Sequence, residues 1–334
     1  MSEIKHISKL RCILENTLKD LFFSLVDYRN NLFTSNDPEK IIEFYNGFEN
    51  REQLIQWMKE RPNGATYIHE VNKWIVSDII IVVPTADFNG KYAVECRESI
   101  FKGLRIVFVE SGENPDPYFN YAHNCNIGIK KAMEYNPKWV VLSNDDMIKI
   151  DDIEILRSEL NRLQNPRCTM AYVEGKNGVP NVVKFSLTTL KRQLVFWIAS
   201  ANTRKVLLLE RKFKVKFIVS PLKRPFKWLY KSISVIPAIG DFVVFNGEFF
   251  QNRQNLFDET YINGGEDIDA SLSVYLGECS YAIIDYKIDS VVGGTLGNKN
   301  RMLKDILNMV YMNKKIQAIG LSENVCNRKS REQK

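Results

Sequence analysis

Three short runs of apolar, mostly β-branched residues constrain the fold of this chain more than any other feature of its sequence. They are residues 78–84 (DIIIVVP), 104–110 (LRIVFVE) and 139–143 (WVVLS). Runs without alternating polar residues are typical of strands buried on both faces of a parallel sheet. Segments with helical character near 91–101 and 119–135 separate the three runs. This order predicts right-handed crossovers and an open, mostly parallel, Rossmann-like α/β sheet flanked by helices.

Polar residues stand at the end of each predicted strand. Thr85 and Asp87 follow the first strand, Glu110 ends the second, and residues 144–146 (Asn-Asp-Asp) follow the third. Ligands of open α/β sheets bind beyond the carboxyl ends of the strands, so these residues predict a nucleotide site. The alternative is ordinary loop chemistry. No GxGxxG follows the first strand and no GxxxxGK[ST] is present, which excludes the two common glycine-rich phosphate-binding loops.

The Asn-Asp-Asp triplet at 144–146 offers another way to bind phosphate. Mg²⁺ and Mn²⁺ favour carboxylate oxygens as ligands and bridge substrate phosphates. Two carboxylates placed directly after a buried strand fit such a divalent metal. The alternative is that the triplet simply starts a turn, as Asn and Asp often do.

A second acidic cluster lies far downstream, at residues 264–269 (GGEDID). The paired glycines permit unusual backbone conformations and close approach. They lead into Glu266 and Asp267 at the predicted start of a helix, where the helix dipole favours carboxylates. A carboxylate held there can accept a proton from a hydroxyl nucleophile. The alternative interpretation is an acidic helix cap.

Four groups of residues, in the same order along the chain as in a known enzyme family, carry a resemblance to that family. The matching segments are 82–85 (VVPT), 126–129 (NIGI), 140–147 (VVLSNDDM), and 240–245 (GDFVVF) with 256–259 (LFDE) and 264–269 (GGEDID). The last group is the most specific. On these segments, the region from about 78 to 297 resembles the family 2 glycosyltransferases. The resemblance implies a GT-A nucleotide-sugar-binding fold and a hexosyltransferase activity.

The resemblance also implies a role for individual residues. The nucleoside-diphosphate-sugar donor would be bound by Pro84, Thr85, Asp87, Glu110, Asn126, Gly128, Asn144 and Asp145. Asp145 and Asp146 would hold Mg²⁺ or Mn²⁺, which neutralises the departing diphosphate. Asp267 would be the general base for the acceptor hydroxyl, and Glu266 would position it. The implied reaction is a single inverting displacement at the anomeric carbon, onto the hydroxyl of a glycan or lipid-linked acceptor.

The chain departs from the family pattern at three positions of the implied donor site. Asn144 stands where the DxD motif has its first acid, and Glu110 stands where an aspartate is usual. Many family members carry a metal-ligating histidine before the glycines that correspond to 293–294, whereas this chain has residues 289–292 (DSVV) there. Asp289 is the candidate replacement for that histidine.

Two other functions remain open on the sequence alone. A nucleotidyltransferase would also use strand-end aspartates, but it calls for a basic, glycine-rich signature after the first strand, where residues 85–88 read TADF. A catalytically inactive sugar-binding or partner-binding module would have the same fold. The joint presence of Asp145, Asp146, Glu266 and Asp267 favours an enzyme.

The pattern predicts four segments along the chain. Residues 1–76 form a helical extension separate from the α/β region, with a helix start at 37–39 (Asp-Pro-Glu). Residues 77–150 form the nucleotide-sugar-binding half and 151–299 the acceptor half. Residues 300–334 form a C-terminal helix and a basic tail.

An aromatic and basic insertion lies within the predicted acceptor half, at residues 191–231. It holds twelve Lys and Arg residues against one acid, Glu210, so it carries a net charge of +11 (12 − 1) in a chain of net charge +6. We favour contact with an anionic membrane surface or a lipid-phosphate acceptor. The alternatives are a solvated insertion or a nucleic-acid contact, and no recognisable nucleic-acid module accompanies the segment.

Cysteine usage and the amino terminus predict the compartment. The six cysteines are scattered and form no CxxC pair, which suits a reducing environment. The three histidines are too dispersed for a His-rich metal site. The chain starts without the apolar core of a signal peptide, and no apolar run reaches the ~18 residues of a membrane span. These features predict a cytoplasmic protein, with peripheral attachment to the inner membrane face through residues 191–231.

Overall fold

The computed structural model describes residues 32, 35–111, 118–163, 168–173, 182–184, 235–237, 239–276, 280–291 and 301–319. The helices are α1 (Pro38–Asn46), α2 (Arg51–Glu60), α3 (Lys91–Glu95), α4 (Tyr121–Met133), α5 (Ile153–Arg162), α6 (Glu266–Leu276), α7 (Arg301–Lys304) and α8 (Ile306–Ile319). The strands are β1 (Thr66–Val71), β2 (Ile79–Thr85), β3 (Arg105–Ser111), β4 (Trp139–Ser143), β5 (Met147–Lys149), β6 (Cys168–Val173), β7 (Val182–Lys184), β8 (Val235–Pro237), β9 (Phe242–Asn246), β10 (Ser280–Ile284) and β11 (Ile288–Ser290).

A mixed sheet forms the centre of the molecule. Within the described residues it has seven strands in the order β1-β3-β2-β4-β9-β6-β10. The three apolar runs form β2, β3 and β4, which are mutually parallel, while β1 and β9 run antiparallel to their neighbours. The prediction of an α/β sheet flanked by helices is therefore confirmed, and the sheet, which mixes parallel and antiparallel pairs, is compatible with a Rossmann-like fold.

The apolar runs are continuous because both faces of the sheet are covered. All seven residues of β2 are buried. Ile79, Ile81 and Val83 pack into one core cluster, while Ile80 and Val82 pack into the other. Burial of each such side chain contributes roughly 1.5–3 kcal/mol relative to exposure. The central strands therefore supply much of the apolar burial that stabilises the fold.

Helix α4 approaches the sheet closely at Gly128. A Cβ atom at this position would lie within 3 Å of the side chains of Val82 and Val109 (2.9 Å from Val109 Cγ2). Any larger residue would push the helix away from β2 and β3, since packed interiors leave little room for an added methyl group.

The segment before residue 77 differs from its prediction as a separate helical extension. Helices α1 and α2 are present, but residues 66–71 form β1, an edge strand antiparallel to β3. Its β-branched and aromatic residues suit a strand. Helices α1 and α2 also pack against α7 and α8 in a shared core cluster. The Tyr45 hydroxyl donates a hydrogen bond to the Leu303 carbonyl oxygen, 2.8 Å away.

The predicted C-terminal helix is present as α7 and α8, between residues 301 and 319. The basic insertion at 191–231 and the segment 1–31 lie outside the described residues. No helix in the described part of the chain has both the length and the apolar character needed to cross a bilayer.

Candidate functional site

The sheet brings polar residues from distant parts of the chain to one edge. Ser143, the last residue of β4, pairs with Phe242, the first residue of the antiparallel β9. The residues just beyond these two therefore meet, and the Asn144 N–H donates to the Asp241 carbonyl oxygen at 2.8 Å. The carboxyl end of β2 lies one strand away, since β2 pairs with β4.

A cleft of about 280 Å³ opens at this edge. Its lining includes seven of the residues predicted to form the site, which come from three separate stretches of the chain. They are Pro84, Thr85, Asn144, Asp145, Asp146, Glu266 and Asp267. The volume is close to the lower end of the roughly 300–1,000 Å³ found for ligand pockets. The structure thus joins the strand-end triplet and the GGED loop in one cavity.

Asp145 is a buried carboxyl group that accepts a hydrogen bond from Thr85. The Thr85 hydroxyl donates to Asp145 Oδ2 at 2.7 Å, and the Cys96 thiol donates to the Asp145 carbonyl oxygen at 3.2 Å. Burial, with a smaller contribution from the neighbouring Asp146, raises the pKa of Asp145 to about 6. The site therefore disfavours the charged form of this carboxylate, and a bound cation would favour it.

Asn144 and Asp241 form a hydrogen-bonded pair in the lining of the cleft. Asn144 Oδ1 accepts from the Tyr121 hydroxyl at 2.9 Å, and Asn144 Nδ2 donates to Asp241 Oδ1 at 3.1 Å. The second oxygen of Asp241 accepts from the Ser290 hydroxyl at 2.6 Å. The amide of Asn144 is thus oriented by two partners, with Nδ2 facing a carboxylate.

The oxygen donors at 145–146 fit a divalent cation by their chemistry. Asp145 and Asp146 are both buried and both line the cleft. Mg²⁺ is commonly held by one or two carboxylates together with substrate phosphates. Among the described residues, no group of three His, Cys, Asp or Glu side chains is arranged as a metal centre. Asp289, the candidate replacement for the family histidine, lies on β11 and does not line the described cleft.

The glycines of the GGED loop are required by its backbone. Gly265 has φ of +88°, and Asn263 also lies in the left-handed region, with φ of +50°. A Cβ atom at Gly264 would lie 2.5 Å from Asp305 Oδ1. Helix α6 then begins at Glu266, as the sequence predicts. Acids in its first turn are favoured by the helix dipole.

Three polar side chains fix the chain on its way into this loop. Asn308 clamps Ile262, accepting from its N–H at 2.8 Å and donating to its carbonyl oxygen at 2.7 Å. Asn126 Oδ1 accepts from two successive N–H groups, those of Leu256 and Phe257, each at 3.1 Å. Lys315 bridges Asp258 and Asp269, at 2.7 Å from each carboxylate. These contacts connect the segment leading into the loop, and the helix that follows it, to α4 and α8.

Glu266 is a buried carboxyl group facing the cleft. Its Oε2 has no hydrogen-bond partner within the described residues. Burial, followed by the charge of Asp267, raises the pKa of Glu266 to about 8. The geometry thus favours a protonated Glu266 beside Asp267 at neutral pH. The orphaned oxygen is also a position that a bound ligand can satisfy, since an unpaired buried polar group costs about 1–3 kcal/mol.

Four predicted donor-site residues lie outside the described cleft lining: Asp87, Glu110, Asn126 and Gly128. Glu110 holds the turn after β2, because its Oε1 accepts from the Phe88 N–H at 2.8 Å and its Oε2 contacts His69 Nε2 at 2.6 Å. Asp87 Oδ1 accepts from the Asn89 N–H within the same turn. Asn126 and Gly128 make the loop and helix contacts described above.

Other lining residues were not predicted from the sequence as part of the site. They include Tyr121, Asp241, Asn263 and Arg301. The sequence could have indicated Asp241 as a site residue, because it directly precedes the buried strand β9. Arg301 has no such local signal, because it reaches the cleft from the C-terminal helices.

Comparison of the chain with models of known protein families gives no match. Comparison with curated proteins gives no match either.

Proposed function

We propose that this protein is an inverting glycosyltransferase with a GT-A-type fold, acting on a nucleoside-diphosphate-sugar donor and a hydroxyl or lipid-linked acceptor. The observation that supports this most is the cleft itself, which joins Asp145 and Asp146 with Glu266 and Asp267. Transfer between two substrates needs two groups of side chains facing one cavity. One group must bind the leaving diphosphate, and the other must activate the attacking hydroxyl.

The strand-end group would bind the donor. Asp145 and Asp146 offer carboxylate oxygens that would hold Mg²⁺ or Mn²⁺, and Thr85 orients Asp145 through its 2.7 Å hydrogen bond. When bound, the metal supplies Lewis-acid neutralisation of the departing diphosphate. Asn144 and Asp241, which are hydrogen-bonded to each other, line the same cleft beside this group.

The GGED group would act on the acceptor. The acceptor oxygen attacks the anomeric carbon while the bond from that carbon to the diphosphate oxygen breaks, and the hydroxyl proton passes to Asp267. A protonated Glu266 beside it cannot take this proton, which leaves Asp267 as the base. Glu266 instead positions Asp267, and its carboxyl O–H donates a hydrogen bond to an oxygen of the bound substrate. General-base catalysis of this kind is worth about 10²–10⁴-fold in rate.

We propose a cytoplasmic location, with the basic segment 191–231 in contact with an anionic membrane surface. The charge of that segment supports contact with anionic lipid, at about 1 kcal/mol for each basic residue close to the surface.

A thermal-shift screen of UDP-, GDP- and dTDP-sugars with and without Mn²⁺ tests the donor assignment. A specific ligand raises the melting temperature by mass action. We expect one nucleotide class to stabilise the protein, and to do so more strongly with Mn²⁺. The Asp145→Asn variant should lose the additional rise in melting temperature that Mn²⁺ gives. The control Asp152→Asn, at an exposed aspartate paired with Lys149, should retain that rise. No stabilisation by any nucleotide would contradict the proposal.

A further inference from the structure

Arg301 is the single cation among the described residues that line the cleft. The same lining carries five carboxyl groups, those of Asp145, Asp146, Asp241, Glu266 and Asp267. Without a bound cation, a cavity lined by five carboxyl groups and one guanidinium group disfavours anionic ligands. A guanidinium group placed at one point of its wall creates one local site where an anion is favoured.

The guanidinium group of Arg301 is not neutralised by the acids of the cleft. Within the described part of the chain its ion pair is with Asp305, which lies outside the lining, and the distance is 3.9 Å. A contact of this length leaves the guanidinium N–H donors largely available. The side chain is 47% exposed. Arginine presents these donors as a planar fork that matches a carboxylate or phosphate group.

Arg301 is connected to the GGED loop through Asp305. Asp305 follows it by one helical turn, with the Asp305 N–H donating to the Arg301 carbonyl oxygen at 2.9 Å. Asp305 is close to Gly264, and its charge contributes to the raised pKa of Glu266. Through Asp305, Arg301 is linked to the loop that carries Glu266 and Asp267, the group proposed to activate the acceptor.

We propose that Arg301 binds an anionic group, a phosphate or a carboxylate, carried by the acceptor close to its reacting hydroxyl. The assignment of this ligand as the acceptor rests on the proposed glycosyltransferase function. The anion site itself rests on the placement of Arg301. A neutral acceptor would leave the guanidinium group facing water in an acidic cavity. A phosphorylated or carboxylated acceptor would instead be oriented by two parallel hydrogen bonds.

The test uses calorimetric titration of the full chain with glycerol 3-phosphate and, separately, glycerol. We expect the wild-type protein to bind glycerol 3-phosphate and not glycerol, and Arg301→Gln to bind glycerol 3-phosphate roughly ten- to a hundredfold more weakly. The matched control is Arg51→Gln, which removes an exposed arginine paired with Glu52 on α2. The same proteins are titrated with UDP, GDP and dTDP in the presence of Mn²⁺.

The two titrations separate this inference from the proposed function. Loss of glycerol 3-phosphate binding in Arg301→Gln, with nucleotide binding unchanged, supports the inference. Loss of nucleotide binding in that variant would make Arg301 part of the donor site and overturn it. Equal binding of glycerol 3-phosphate by wild type and variant, or none by either, would also overturn it. If the protein binds the anion through Arg301 but binds no nucleotide, the anion site is supported and the proposed glycosyltransferase function is wrong.

Discussion

Glu266 is buried at the start of α6, with one carboxyl oxygen lacking a partner among the described residues. Its pKa is raised to about 8, from a value near 4.5 for an exposed glutamate, because burial and the charge of Asp267 disfavour ionisation. Folding therefore takes up a proton at this position. The associated stability is fully present below about pH 4.5 and is lost as the pH rises through about 8.

This linkage predicts the behaviour of Glu266→Gln, which mimics the protonated form. The variant should match the wild type near pH 4 and be more stable at pH 9, by on the order of 3–5 kcal/mol. The difference should appear as a rise of roughly 4–7 °C in melting temperature. Melting curves between pH 4 and 9 measure it. The exposed Glu154→Gln should show no such trend, and a difference that does not grow with pH would refute the assignment.

If Asp145 binds a metal as proposed, the affinity for that metal rises with pH, whereas the stability linked to Glu266 falls with pH. A metal ligand must be deprotonated, and the pKa of Asp145 is raised to about 6 by burial. Affinity for Mn²⁺ should be constant above pH 7 and should fall by about tenfold per pH unit below 6. Thr85→Val removes the hydrogen bond that lowers this pKa, so the fall should begin at a higher pH. Mn²⁺ titrations of the wild type and Thr85→Val between pH 5 and 8, in the presence of nucleotide, measure this shift. Identical curves for the two proteins would contradict the role of Thr85.

The residues of the site differ in how far sequence reasoning could identify them. The Asn-Asp-Asp triplet and the GGED loop are contiguous motifs, so local sequence was sufficient to select them. Asp241 belongs to the matching segment 240–245, but it lines the cleft because β9 pairs with β4, and Arg301 lines the cleft without belonging to any motif. Their place depends on the tertiary structure.

At the scale of elements, α8 supports the GGED loop through Asn308. Both side-chain atoms of its amide bind the backbone of Ile262, two residues before Gly264. Asn308→Leu should leave this buried N–H and carbonyl unpaired and destabilise the protein by on the order of 2–3 kcal/mol. Donor turnover should fall as well, because the loop carries Glu266 and Asp267.

Urea unfolding and donor turnover at a temperature where the variant is folded measure the two effects of Asn308→Leu. The matched control is Asn252→Leu, at an exposed asparagine outside the loop. If Asn308→Leu lost stability but retained full turnover, the clamp would serve the fold and not the site.

Strands were predictable to the extent that both their faces are buried. The continuous apolar runs of β2, β3 and β4 have no other common explanation, whereas β1 is a half-exposed edge strand whose six residues read TYIHEV. Its assignment depends on pairing with β3, some forty residues away. The sequence of residues 66–71 alone does not indicate the pairing of β1 with β3.

At the scale of the whole molecule, the two ends of the described chain are joined. Helices α1 and α2 share a core cluster with Ile262 and with α7 and α8. Tyr45 and Leu303 are 258 residues apart in sequence and are hydrogen-bonded. The helices at the amino end, predicted to be a separate extension, thereby support the same α8 that clamps the GGED loop. Long-range contacts of this kind are set by surface complementarity and leave no short motif.

The most direct test of the whole account is the turnover of a nucleotide sugar by Asp267→Asn compared with its binding. We predict that this variant binds the stabilising nucleotide with unchanged affinity, while its rate of transfer or donor hydrolysis falls by about 10²–10⁴-fold. The parallel variant Asp152→Asn should keep both properties. Turnover by Asp267→Asn at the wild-type rate would contradict the account, because the cleft would then not be using its acidic loop for catalysis.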